Sequence, residues 1–305
     1  MKLDKKVVRE LMVKPGQSAD LARRSTSHTS EEWVKALGHT YPKEVAQRDL
    51  EGFKEELQRA QELLYASDTW AVLLIFQALD AAGKDGTIKH VMSGVNPQGC
   101  QVVSFKEPSA EELRHDFFWR CVTKMPERGH IGIFNRSYYE EVLVTRVHPE
   151  LLEAEHLPSG SKAGSKLWED RYQAINDLER HLDRNGTRVV KFFLHVSKEE
   201  QRRRFLARLD DPAKRWKFSV GDLAERKHFD EYQAAYEDAL TATSTPWAPW
   251  FVVPADHKPA MRALVGAVVV DAIDSLSLSY PKVDAEQQRV LDEARAALQA
   301  ESGAG

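Results

Sequence analysis

The stretch Ala71–Thr87 constrains the fold of this chain more than any other. An apolar run, Ala71–Gln77, breaks into small residues and a Gly83–Lys84 pair, after which apolar side chains return at helical spacing. The pattern predicts a strand, a loop and a helix. Because the free N–H groups and the positive dipole end of such a helix point into the loop, a phosphate group can bind there. Lys84 would add a positive charge.

The loop departs from the standard phosphate loop at two positions. Ala78 replaces the first glycine, and Asp85 replaces the hydroxyl residue that binds the metal. Carboxylates beside a phosphate repel it unless a divalent cation lies between them, so Asp80 and Asp85 predict Mg²⁺, with Mn²⁺ as a second candidate. Two plainer interpretations stay open: Lys84 as a solvated lysine after a turn at Gly83, and Asp80 as a helix cap or turn aspartate.

Composition limits the class of protein. A chain of 305 residues with 42% hydrophobic content can form one large α/β domain or two small ones. Its net charge of −4 means that anion binding must come from local clusters of basic residues. Cys100 and Cys121 suit a reducing compartment. We find no apolar leader or membrane-spanning segment, so we expect a cytoplasmic protein with no membrane partner.

The remaining apolar runs predict an α/β fold. Four further strands are expected, at Gln101–Phe105, His130–Phe134, Arg188–Val196 and Trp250–Pro254. Helical segments lie between or before them, among them Pro42–Ala66, Ala110–Thr123 and Lys166–Leu182. This alternation indicates a parallel sheet of about five strands flanked by helices, with ligands at the carboxyl ends of the strands. We expect a polar N-terminal arm at 1–45, a single domain at 46–280, and a C-terminal helix and tail at 281–305.

The end of the third predicted strand carries a second group of candidate residues. Arg136 can contact a phosphate with two hydrogen bonds, and Glu140, one helical turn later, can face the same cleft. The alternative is a surface ion pair between Arg136 and Glu140 that has no function.

A basic stretch at 198–228 predicts a lid. Arg204, Arg208 and Arg215 would share one helical face, but Pro212 is expected to break the helix into two. Such a basic hairpin can close over bound phosphates and exclude water. The alternatives are a solvated charged surface, and plain core packing for Trp216 and Phe218.

These residues also resemble those of a known family, the family-2 polyphosphate kinases. The resemblance covers roughly residues 45 to 280 and rests on eight ordered segments: Asp80–Gly86, Asn96–Gly99, Ser104–Ser109, His115–Arg120, Phe134–Glu140, Val142–Val147, Trp216–Ser219 and Tyr236–Asp238. It implies a phosphate-loop kinase fold, and it implies phosphoryl transfer between inorganic polyphosphate and nucleotides. The departures from the standard phosphate loop are ordinary within this family.

The resemblance also implies roles for individual residues. Lys84 and the loop would bind phosphate, Asp80 would hold Mg²⁺, Arg136 would neutralise charge during transfer, and Glu140 would place the acceptor nucleotide through a second metal. Further contacts to phosphate or nucleotide are expected from Ala81, Ala82, Gly83, Asp85, Gly86, Thr87, Asn135 and Arg146. The predicted polyphosphate path consists of Lys84, Arg204, Arg208, Lys214 and Arg215.

Asn135 bears on the acceptor. Members restricted to diphosphates typically have aspartate after the phenylalanine of this motif, whereas Asn135 with Glu140 resembles the branch that phosphorylates nucleoside monophosphates and diphosphates. We expect adenine nucleotides as partners, with guanine as an alternative, and a homodimer or homotetramer. Two other functions stay open: a nucleotide kinase that uses ATP as donor, and a non-catalytic polyanion-binding protein. Nucleic acid is not expected as a partner, because the chain is acidic overall and has no nucleic-acid-binding motif.

Overall fold

A computed structural model describes residues 5–28, 34–35, 41–155, 157–158 and 164–301. Its centre is a five-stranded sheet with the order β2-β3-β1-β4-β5, in which every pair of neighbouring strands is parallel. The strands are β1 Ala71–Gln77, β2 Cys100–Ser104, β3 Ile131–Asn135, β4 Thr187–His195 and β5 Trp250–Pro254. The predicted parallel sheet is therefore confirmed, and each strand lies within a residue of its predicted position.

The strands form where apolar residues are continuous. Every residue of β1 and β5 is buried, as expected for strands of a parallel sheet that is covered on both faces. In β1, Ile75 pairs with Phe134 on one side and with Lys191 on the other. This register brings the ends of β1 and β3 side by side, and so places their two loops together.

Eleven named helices accompany the sheet in the described part of the chain. They are α1 Lys5–Leu11, α2 Lys43–Ser67, α3 Lys84–Val91, α4 Trp119–Val122, α5 Glu140–Val147, α6 Ser165–Arg184, α7 Lys198–Asp210, α8 Val220–Lys227, α9 Phe229–Thr243, α10 Lys258–Asp274 and α11 Ala285–Glu301. Helices α2 and α10 pack closely, since a Cβ atom on Gly266 would lie 3.3 Å from the Cβ atom of Phe53. Among the described helices, none has the length and apolarity needed to cross a membrane.

The predicted helix at Ala110–Thr123 is wrong over most of its length. The structure has a short 3₁₀ turn at Glu112–Arg114 and then only the four-residue helix α4. Between them the Asp116 carboxylate accepts the N–H of Phe118 at 2.9 Å. This side chain satisfies a backbone donor locally and so competes with a continuous helix.

The N-terminal arm is better anchored than its polar sequence suggests. Helix α1 and the residues after it bury Val7, Leu11 and Val13 in the core. The N–H of Val13 donates to the carbonyl of Trp250 at 2.8 Å, so the arm extends along β5 at the edge of the sheet. Helix α11, by contrast, has no buried residue. The domain boundaries at 45 and 280 stay predictions.

Candidate active site

The loop after β1 makes a tight turn into α3. Ala81 and Gly83 both have left-handed backbone angles, with φ of +60° and +110°. Glycine suits the second position, because a Cβ atom there would also lie 3.4 Å from Cε of Met261. Arg204 supports this turn from α7, donating to the carbonyls of Ala81 at 3.1 Å and Ala82 at 2.6 Å.

Lys84 is the first residue of α3, and its side chain is buried. Its ammonium group donates to the carbonyl of Ala78 at 2.6 Å. Burial is the main cause that lowers the pKa of Lys84 to about 8, and the nearby Arg136 lowers it further. A bound anion would reverse this effect, since negative charge favours the protonated amine.

Arg136 lies between two carboxylates. Its guanidinium donates to Asp80 and to Glu140, each at 3.0 Å, so the structure brings together three of the predicted catalytic residues. The Glu140 carboxylate is the largest cause that raises the pKa of Arg136, which keeps the guanidinium charged. Arg136 also has a left-handed backbone, with φ of +65°. A non-glycine residue in this region carries strain of the kind that clusters at functional sites.

Asn135 lies at the carboxyl end of β3, beside the loop that follows the neighbouring strand β1. Its amide donates to the Asp85 carboxylate at 2.8 Å. A carboxylate at position 135 would instead face Asp85 as a like charge. The amide therefore changes the charge at the junction of the two loops.

A pocket of about 470 Å³ opens next to Arg136. Its apolar wall consists of Leu143, Val144, Phe229, Tyr232 and Tyr236. Its ionisable side chains are mostly acidic: Asp80, Glu107, Glu140, Asp222 and Glu225 face Arg136 and Arg226. An apolar wall with a few polar groups at one end suits a ligand with one flat apolar part and one charged part.

The stretch at 198–228 folds as the sequence predicts, into α7 and α8 separated by a turn that contains Pro212. Ser219 and Asp222 form a capping box at the start of α8. Burial, followed by the nearby Asp80, raises the pKa of Asp222. On the same helix, Glu225 accepts the hydroxyl of Tyr232 at 2.6 Å. The hairpin therefore contributes two carboxylates and one guanidinium, that of Arg226, to the pocket.

The basic residues predicted to bind polyphosphate are placed differently from the expectation. Arg204 is buried beneath the loop, and besides Ala81 and Ala82 it contacts the Ala255 carbonyl and Glu200. Tertiary contacts surround the Arg204 side chain, so it does not lie on an exposed face with Arg208 and Arg215. Its role in binding polyphosphate stays a prediction. The other three also have protein partners, with Arg208 bonded to Asp222 at 3.2 Å, Lys214 to Asp211 at 2.5 Å and Arg215 to the Leu209 carbonyl at 2.7 Å.

Two further predicted residues lie away from the pocket. Arg146, in the last turn of α5, donates to the hydroxyl of Tyr172 at 2.9 Å and to Asp238. The hydroxyl of Thr87 donates to the Gly83 carbonyl at 3.0 Å, inside the first turn of α3. The alternative that Trp216 packs in the core is wrong, because its side chain is 77% exposed.

The pocket contains residues that the sequence did not single out. Asp222 and Glu225 come from α8, Glu107 comes from the segment after β2, and the aromatic wall comes from α9. The Ser219–Asp222 spacing signals a helix start in the sequence, but it gives no sign of what the helix faces. Only the tertiary fold brings these carboxylates into the pocket that Arg136 also lines.

The carboxylates beside Arg136 are candidate metal ligands. Within the described residues, no group of three or more His, Cys, Asp or Glu side chains is arranged to hold an ion. Mg²⁺ is usually bound by one or two carboxylates together with phosphate oxygens and water. Asp80 and Glu140 supply such a pair of oxygen ligands beside a single guanidinium. The donor chemistry thus fits a hard divalent cation that arrives with a phosphate.

Comparison with known sequences gives a consistent result. Residues 40–280 match the family described as polyphosphate kinase 2. The chain is 57% identical to an ADP-polyphosphate phosphotransferase of Rhodopseudomonas palustris, over 80% of this chain and 84% of that protein. It is 43% identical to an AMP/ADP-polyphosphate phosphotransferase of Meiothermus ruber, over 82% of this chain and 90% of that protein.

Comparison with solved structures points to the same family as the sequence comparison. The fold is similar to the crystal structure of a polyphosphate kinase 2 from Arthrobacter aurescens, with a TM-score of 0.83 and 39% identity, covering 96% of this chain and 99% of that one. This similarity supports the phosphate-loop kinase fold that the family resemblance implies.

Proposed function

The chain belongs to the polyphosphate kinase 2 family, and from this premise we propose that it transfers the terminal phosphoryl group of inorganic polyphosphate to AMP and ADP. The observation that carries the proposal is the Arg136 guanidinium, held between Asp80 and Glu140 next to the loop that contains Lys84. A cation fixed between the phosphate loop and a pocket of nucleotide size is suited to charge that moves from one phosphate to another.

The proposed reaction needs alignment and charge neutralisation more than covalent chemistry. The loop and Lys84 hold the donor phosphate, and the pocket holds the acceptor with its base against the apolar wall and its phosphate toward Arg136. An oxygen of the acceptor phosphate then attacks the terminal phosphorus of the donor in line, and the shortened polyphosphate leaves. Asp80 and Glu140 orient Arg136 throughout.

We propose Mg²⁺ as the cofactor, with Mn²⁺ able to replace it. Asp80 and Glu140 would hold the ion jointly with phosphate oxygens, and the ion would neutralise charge on those phosphates when bound. Removal of divalent ions with EDTA is expected to abolish turnover, and excess Mg²⁺ to restore it.

The proposal also specifies which nucleotides accept the phosphoryl group. The two relatives described above differ, since one is named for ADP and the other for AMP and ADP. Asn135 favours the broader range, because it resembles the branch that accepts both monophosphates and diphosphates, and its amide bonds to Asp85 where a carboxylate would add negative charge between the two loops. We also propose adenine over guanine as the base, a cytoplasmic location consistent with the free thiols Cys100 and Cys121, and a homodimer or homotetramer.

Nucleotide separation after incubation with polyphosphate and Mg²⁺ tests the proposal. AMP and ADP are supplied in separate tubes, with GMP and GDP in parallel, and ATP replaces polyphosphate in a control. ADP and ATP formed from AMP would support the full proposal. Phosphorylation of ADP alone would contradict the acceptor range, and activity from ATP alone would identify an ordinary nucleotide kinase. Polyphosphate binding without any turnover would leave only a polyanion-binding role.

A further inference from the structure

Two basic side chains at the start of α10, Lys258 and Arg262, stand out because neither has a partner among the residues that the structure describes. Lys258 is exposed and Arg262, one helical turn later, is half-buried. Within the described ranges, neither side chain forms a hydrogen bond or an ion pair, and the buried Nε of Arg262 has no acceptor. A buried donor without an acceptor costs free energy, so a negatively charged ligand at this place would be stabilising.

Their position relates them to the phosphate loop. A Cβ atom on Gly86 would lie 3.4 Å from Nη2 of Arg262, and one on Gly83 would lie 3.4 Å from Met261 in the same helix. Helix α10 follows β5, whose carboxyl end lies at the same edge of the parallel sheet as the end of β1. Neither Lys258 nor Arg262 lines the acidic pocket. The loop therefore has the pocket at its Asp80 end and these two cations at its Gly86 end.

The surrounding charges make this a positive surface. Partial desolvation of the amine, and then the nearby Arg204 and Arg262, lower the pKa of Lys258, although the residue as a whole is exposed. Burial followed by Arg204 lowers the pKa of Arg262. Arg203 adds to the positive side, while Glu200 is the acidic group that faces Lys258, and it already accepts hydrogen bonds from Arg203 and Arg204. Like charges held together without sufficient counter-charge attract a polyanion.

The negative charge of the pocket also favours a donor path past Lys258 and Arg262. Its five carboxylates outnumber its two arginines, so an extended phosphate chain would be repelled along it. A donor chain whose reacting end lies at Lys84 and Arg136 is better accommodated if it leaves past Gly86. Four basic residues of the hairpin, meanwhile, already have protein partners: Arg204, Arg208, Lys214 and Arg215.

We propose that Lys258 and Arg262 bind the internal phosphates of the polyphosphate donor as the chain leaves the loop. This inference rests on the proposed function, since it assigns the path of that donor. It names a site that prefers long chains, because a short donor such as tripolyphosphate would end before it reached α10.

Charge-neutralising variants test the site. Lys258→Gln and Arg262→Gln are compared with Lys124→Gln, an exposed lysine in the segment that leads into β3. Each test variant is expected to raise KM for long polyphosphate about three- to tenfold and to lower the slope of log affinity against log salt by about 0.7, as for contacts to single nucleic-acid strands. The kcat value, KM for ADP and KM for tripolyphosphate should change less than about twofold.

Equilibrium binding of long polyphosphate in the absence of nucleotide separates this inference from the proposed function. Weaker binding by the double variant, with Lys124→Gln unchanged, supports the site even if the protein shows no transfer from polyphosphate. Unchanged binding by the double variant would overturn it, as would an equal loss in Lys124→Gln or an equal effect on tripolyphosphate. Circular dichroism checks that the variants fold. If Arg262→Gln does not fold, Lys258→Glu, at the exposed position, replaces the double variant in the same binding measurement.

Discussion

Two buried lysines, Lys84 in the phosphate loop and Lys191 in the middle of β4, have the same altered acidity but different surroundings. Burial lowers the pKa of each to about 8. Lys191 donates to Glu179 at 2.5 Å, to the Tyr139 hydroxyl at 2.9 Å and to the Thr243 carbonyl at 2.7 Å. Lys84, within the described part of the chain, donates only to the Ala78 carbonyl at 2.6 Å.

An ammonium group has three N–H donors, so the two lysines differ in how many of these donors remain free to bind a ligand. All three donors of Lys191 are used inside the protein, and its ion pair with Glu179 is fully buried. Glu179 also accepts the hydroxyls of Tyr138 and Tyr139, which follow closely after Arg136. This network therefore ties the loop that carries Arg136 to α6, β4 and α9. Lys84 keeps two donors for a ligand, and the same residue type thus serves structure in one place and binding in the other.

The largest effect is expected from Lys191→Met. Removal of one partner leaves the Glu179 carboxylate buried without its counter-charge, which should lower the free energy of unfolding by about 3–5 kcal/mol. Urea denaturation followed by circular dichroism measures the loss. Leu264→Ala, a core truncation in α10 away from this network, serves as the control for general destabilisation. A loss below about 1 kcal/mol for Lys191→Met would show that the network is not needed for stability.

Lys84→Met, unlike Lys191→Met, should impair catalysis while leaving stability nearly unchanged. Loss of the loop cation is expected to lower kcat/KM for polyphosphate by about 10²- to 10³-fold, or about 3–4 kcal/mol of transition-state stabilisation. The free energy of unfolding should change by less than about 1 kcal/mol, because the lost hydrogen bond is offset by removal of a buried charge. Steady-state kinetics and urea denaturation of the same preparation measure both. A large stability loss with little effect on kinetics would remove the distinction between the two lysines.

The sequence predicted the backbone around Lys84 well, since the strand, loop and helix depend on local apolar spacing and on glycine. It also predicted that Arg136 and Glu140 share a cleft, and both line the pocket. The expected reason was wrong, because Arg136 precedes α5 with a left-handed backbone and does not lie on the same helix as Glu140. It failed for Arg204, whose helical spacing identifies a face but not the loop carbonyls that the face covers. Asp222 and the apolar wall were missed for the same reason, since segments distant in sequence meet at the pocket only through tertiary packing.

The smallest expected effect is on the pH dependence, and it separates the two lysines directly. Because the pKa of Lys84 is lowered to about 8 in the empty protein, the side chain becomes neutral as the pH rises above that value. The value of kcat/KM for polyphosphate, which reports the free enzyme, should then fall about tenfold per pH unit above pH 8. The value of kcat should hold to higher pH, since bound phosphate favours the protonated amine.

The Lys84→Arg variant assigns this inflection to one residue. A guanidinium stays charged throughout the range, so whatever activity remains in the variant should show no decline in kcat/KM between pH 8 and pH 9.5 from this group. If the inflection persists in Lys84→Arg, another group such as Lys191 controls it. Lys191 would then be open to titration despite its three hydrogen bonds, and donor saturation would not distinguish a structural lysine from a binding one.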